Sequence, residues 1–161
     1  MRKLLKLLWK EWRKKKGEIN IKLHERFDYL AYWFRYQATY FEMKYHLKQV
    51  LKGKENHYIK GIYHYDRNIG KSTALARLSV KYDIPVVVPT QTWKMLVERD
   101  IPRYLPKYFK KKKPVAVVAN ENLRGIKFRH NILLMEEGLK DEQFSLLINK
   151  ITDNLVGYRN Y

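Results

Sequence analysis

YDRNIGKST, residues Tyr65 to Thr73, decides how the rest of the chain is read. It follows a short β-like run, HYIKGIY (residues 57–63), and leads into KSTALARLSVKY (residues 71–82), where Ala74, Leu75 and Leu78 recur at helical spacing. The pattern predicts a strand, a tight loop and a helix in direct succession. Gly70 stands where the chain turns into the helix, and Lys71, Ser72 and Thr73 follow it.

A loop so placed has a definite chemistry. Its backbone N–H groups, and those of the helix's first turn, lack partners within the helix and suit phosphate oxygens. A lysine at the helix start reaches the β- and γ-phosphates, and the hydroxyl after it suits Mg²⁺. On this reading Asp66, Arg67, Asn68, Ile69, Gly70, Lys71, Ser72 and Thr73 cradle the phosphates of ATP, with Lys71 also catalytic and Ser72 on the metal. The departure is Tyr65, which stands where a glycine usually lets the chain leave the strand sharply.

Working outward, IPVVVP (84–89), PVAVVAN (114–120), NILLMEE (131–137) and NLVGY (154–158) read as strands. Helices are predicted over 91–99, with Thr90 as N-cap, and over 140–152. Alternating strands and helices predict an α/β fold: a short parallel sheet with flanking helices. An α-helical extension precedes it. The expected organisation is a basic, aromatic-rich extension over 1–56 and a minimal core over 57–161.

Within the extension, MRKLLKLLWKEWRKKK (1–16) predicts a basic amphipathic helix that Gly17 ends. It reads either as an arm for nucleic acid or an anionic membrane surface, or as a helix packed on its own domain. Residues 22–51 predict a longer helix. Phe27, Leu30, Phe34, Phe41 and Tyr45 fall on one stripe, and Tyr29, Trp33, Tyr36 and Tyr40 on a second. So wide an apolar surface suits a helix packed on two sides.

The strand ILLMEE ends in Glu136 and Glu137. Beside a phosphate loop, the first acid holds Mg²⁺ and the second orients or deprotonates the attacking water. Two acids after an apolar run also serve simply to complement the dipole of a helix that follows. The two motifs together resemble P-loop NTPases, in the division with an additional strand and a catalytic glutamate. The turn Arg124-Gly125, a short spacer and then the acidic strand are similar to the ATPase core of phage terminase large subunits and helicase-like motors, in a reduced form. The resemblance spans about residues 58–160 and leaves the extension unexplained.

It implies ATP and Mg²⁺ as cofactors, phosphate contact by residues 70–73, metal contact by Ser72 and Glu136, and a catalytic role for Glu137. It puts the additional strand at 84–89 or 114–120 and a phosphate sensor at Arg159 and Asn160. Arg124, Arg129 or Arg159 would serve a neighbouring subunit, which makes a homo-oligomer an expected partner. Glu136 replaces the more usual aspartate.

The composition bounds these readings. The net charge is +18 over 161 residues, which favours polyanionic partners, nucleic acid first, through residues 1–16 and the Lys110–Lys113 cluster. There is no cysteine, which excludes disulfides and thiolate metal sites, and the five histidines lack metal-ligand spacing. Lys6 and Lys10 interrupt the apolar run that a secretory signal needs, so a cytoplasmic, intracellular protein is expected. Two other functions fit the sequence: a P-loop-fold adaptor or regulator without catalysis, and a basic protein that binds nucleic-acid backbones.

Overall fold

The computed structural model describes residues 2–62, 70–104, 107, 109, 111–120, 123, 128, 130–152 and 154–160, with the backbone alone for 2–26, 104 and 150. Tyr65, Asp66, Arg67, Asn68 and Ile69 lie outside the described residues, as do Arg124, Gly125 and Arg129.

Among the described residues five strands form one parallel sheet: β1 (Tyr58–Ile62), β2 (Val86–Val88), β3 (Ala116–Val118), β4 (Ile132–Met135) and β5 (Asn154–Asn160), in the order β1-β5-β4-β2-β3. Every pairing is parallel. The strand between β1 and β4 is therefore β5, the last in the chain. The runs 84–89 and 114–120, expected there, instead build the far side of the sheet as β2 and β3. Short buried apolar runs look alike in sequence, and their order along the chain does not give their order in space.

The helices are α1 (Arg2–Leu51), α2 (Lys71–Tyr82), α3 (Gln91–Met95), α4 (Ile101–Tyr104) and α5 (Asp141–Lys150). A π-helical turn, Leu96–Asp100, joins α3 to α4, so helical structure runs on past the expected end at residue 99. Within that turn the Ile101 N–H reaches the Leu96 carbonyl, immediately before Pro102, which has no N–H to donate. Thr90 caps α3 as its sequence predicts, its hydroxyl accepting from the Trp93 N–H at 3.4 Å.

Helix α1 does not break at Gly17. An interior glycine costs a helix about 1 kcal/mol. That is too little to stop one with Lys14, Lys15, Lys16 and Glu18 on either side. At about 1.5 Å per residue, its 50 residues extend roughly 75 Å.

Two apolar clusters sandwich the sheet. One face holds Tyr36, Tyr40, Met43, Leu47 and Val50 of α1, Leu75 and Leu78 of α2, Val97, Ile101, and the strand residues Val86, Leu134, Val156 and Tyr158. The other holds Val87, Leu133, Met135 and Leu155 against Leu147 of α5. The second half of α1 is thus part of the core. Polar contacts also fix it to β1: the Glu42 carboxylate accepts from the Tyr58 hydroxyl at 2.8 Å and from Lys60 Nζ at 2.8 and 2.9 Å, and His46 stacks on Tyr58 at 3.4 Å. Burial and Glu42 together push the Tyr58 hydroxyl up to about 12.

Packing on two sides does not hold for α1. Tyr36 and Tyr40 of the second stripe are buried, but the first stripe stays open to solvent. Among the described residues, no helix is long and apolar enough to cross a membrane.

Candidate functional site

All five strands point the same way, so the ends of β1 and β4 lie at one edge of the sheet. Ligands of open parallel sheets collect at that edge, where connections leave in different directions. Here the start of α2 meets Glu136 and Glu137.

Gly70 begins this site, with φ 78° and ψ 25°, in the left-handed region that glycine adopts without strain. A second constraint acts on the same residue. A Cβ at position 70 would fall 2.8 Å from Tyr36 Cβ and 3.2 Å from Tyr36 Cα. Helix α1 therefore packs directly on the backbone that opens α2.

Lys71 is buried, and its Nζ lies 2.9 Å from a Glu137 carboxylate oxygen. Glu136 is fully enclosed. Burial raises its carboxyl from the usual 4.5 to about 7; the neighbouring Glu137 charge adds to this, while the Glu137 N–H, the Ser72 hydroxyl and Lys71 oppose it. One Glu136 oxygen accepts from the Glu137 N–H at 3.3 Å. Its Oε2 is buried with no hydrogen-bond partner, as is the hydroxyl of Tyr158, a residue of β5 on the same face of the sheet. That hydroxyl titrates well above its ordinary range, chiefly through burial, with the Glu42 and Glu136 charges adding.

The cleft in front of these groups encloses about 280 Å³. It is lined by Gly70, Lys71, Ser72, Thr73 and Glu137 together with Tyr32, Trp93, Leu96 and Ile101. The Tyr32 hydroxyl sits 3.5 Å from Thr73 Oγ1. A cleft that combines cationic and hydroxylic groups with aromatic and aliphatic ones suits a ligand with an anionic head and a flat apolar part.

The structure thus brings together Gly70, Lys71, Ser72, Thr73, Glu136 and Glu137 of the predicted set; Asp66 to Ile69 fall outside the described residues. Arg159, expected as a phosphate sensor, is engaged elsewhere. Its guanidinium pairs with Asp141 at 2.8 Å and lies over the Phe144 ring at 4.1 Å. Strand alternation explains this: Arg159 shares the α5 face with Leu155, whereas the cleft opens beside Tyr158's face. Of the Lys110–Lys113 cluster, Lys112 pairs with Asp83.

Sequence reading missed Tyr32, Trp93, Leu96 and Ile101. No local pattern marks them, because they reach the cleft only through the docking of α1 and the α3–α4 segment. Comparison of the chain with protein-family models, with curated proteins and with solved structures returned no match.

Proposed function

We propose that this chain binds a nucleoside triphosphate with Mg²⁺ and hydrolyses it, acting on or near nucleic acid. The observation that carries the reading is the Lys71–Glu137 ion pair at the strand edge, beside the enclosed Glu136 and Ser72. A sheet order in which β5 separates β1 from the acidic strand supports it.

In this reading the γ-phosphate takes the place of the Glu137 carboxylate at Lys71. Glu137 is thereby released to receive a proton from water as the water oxygen attacks phosphorus and the bond to the β-phosphate oxygen breaks. Lys71 balances charge on the transferring group, and the tight start of α2 presents N–H groups to its oxygens.

Among the described residues no three His, Asp or Glu side chains gather as a metal cage. Mg²⁺ needs none, since it commonly takes one or two protein oxygens and completes its shell with phosphates and water. Ser72 and Glu136, with its unpaired Oε2, fit that requirement. The ion would neutralise charge on the β- and γ-phosphates. The +18 charge supports a nucleic-acid partner.

Phosphate release by the purified chain is the test. Lys71→Ala should abolish turnover. Glu137→Gln should retain MgATP binding and slow turnover roughly a hundredfold or more, the scale of a lost general base. Equal release by the parent chain and Lys71→Ala overturns the proposal. One observation favours a second reading, a nucleotide-binding regulator without turnover: a Glu136 carboxyl titrating near 7 is about half protonated at neutral pH, and its protonated form is a poor metal ligand. Calorimetric MgATP binding with no phosphate release selects that reading.

A further inference from the structure

The stripe of α1 that faces away from the core lacks a partner among the described residues. Phe27 is 65% exposed, Leu30 48%, Phe34 63%, Phe41 58% and Tyr45 57%. Their spacing is three, four, seven and four residues along one helix, the interval at which apolar side chains form a seam against another helix. Core-facing Tyr36, Tyr40, Met43 and Leu47 lie on the opposite side, so closing the seam disturbs nothing already packed.

Charge argues for the occupant. Residues 2–22 carry nine Lys or Arg against two Glu. Residues 27–45 carry Arg35 and Lys44 against Asp28 and Glu42, and so are neutral. Formal charges over the seam thus balance, with Lys44 lying over the Phe41 ring, and the stretch is far less basic than residues 2–22. That is unsuited to a polyanion or an anionic membrane, and suited to a second protein helix of like composition.

Area argues the same way. Aromatic side chains bury about 150–250 Å² each, so the exposed fractions of Phe27, Phe34, Phe41 and Tyr45 leave roughly 500 Å² of apolar surface. Two copies face to face would bury about 1,000 Å², the lower bound of a specific interface. Trp33, 41% exposed beside Phe34 and in edge contact with it, extends the patch.

We infer that α1 is a dimerisation helix: the Phe27–Tyr45 stripe packs against the same stripe of a second copy of this chain. The interface is isologous, so Phe34, near its middle, meets its own counterpart about the two-fold axis. Because each copy carries +18, association strengthens as salt screens the repulsion.

Sedimentation equilibrium of the full chain tests the inference. A reversible dimer is expected at concentrations on the order of 10 µM, as befits an interface at the small end of the range. Phe34→Asp combined with Phe41→Asp should raise its dissociation constant roughly a hundredfold or more. Helical circular dichroism should hold, as should the unfolding midpoint at concentrations well below the dissociation constant, since both side chains are exposed. The chain has no cysteine, so a Phe34→Cys variant carries a single thiol and should cross-link to a dimer on mild oxidation, whereas Glu142→Cys on α5 should not. A chain that stays monomeric throughout, or a dimer indifferent to the aspartates, overturns the inference. So does a chain that is monomeric in solution yet binds neutral lipid vesicles through Phe34 and Phe41.

Discussion

Glu136 is a carboxyl group enclosed on all sides at the end of β4, and it couples stability to pH. Its proton leaves near pH 7 in the folded chain and near 4.5 in the unfolded one. Between those values the folded state holds more protons, so stability falls as pH rises. The contribution is present in full below pH 4.5 and lost by about pH 7, a difference on the order of 3 kcal/mol. In Glu136→Gln the penalty disappears. With a chelator present, its urea midpoint should exceed that of the parent chain at pH 8 and converge on it toward pH 4.5. A pH-independent gap between the two would show that burial of the carboxylate is not its cause. The same variant should lose turnover under the proposed chemistry, so this site exchanges stability for function. Glu136 was legible as a candidate from its place after ILLM. Its protonation was not, because complete enclosure depends on what packs around it.

Between elements, the contact that matters most is α1 against the start of α2. Gly70 combines a left-handed backbone with a Tyr36 neighbour that leaves no room for a Cβ. Gly70→Ala adds a backbone cost of about 1 kcal/mol and a steric one of similar or greater size. A loss of about 2 kcal/mol or more is expected in urea unfolding, with faster amide exchange in residues 36–50 as α1 loosens. An unchanged midpoint and exchange pattern would mean that α1 does not press on this backbone in solution. The strand–loop–helix order around Gly70 could be read from HYIKGIY and KSTALARLSVKY. That the glycine also makes room for Tyr36 could not, since the two residues are remote in sequence.

Across the whole molecule, charge and apolar surface are segregated. The basic residues of 2–22 precede a neutral aromatic stretch, and the catalytic candidates adjoin that stretch at Tyr32 and Tyr36. Under the proposed function, removal of residues 2–22 should weaken binding to nucleic acid of any sequence and flatten its salt dependence. Filter-binding titrations across a salt series measure this, and phosphate release should persist in the truncated chain. A slope that survives the truncation would move the polyanion contact to another part of the surface.

The local pattern of the chain determined the α/β class, the strand–loop–helix around Gly70–Thr73, the cap at Thr90 and the carboxylates at the end of ILLM. These are short-range: hydrophobic period, turn chemistry and helix-end preferences act over a few residues. Tertiary structure alone decided that β5 enters the sheet between β1 and β4, and that Arg159 turns to the α5 face. It also decided which of α1's two aromatic stripes meets the core and which remains open, and it brought Tyr32 and Trp93 to the cleft. Each of these depends on contacts between residues far apart in the chain. Equally apolar strands and stripes compete for the same partners there, and only the packing of the whole selects among them.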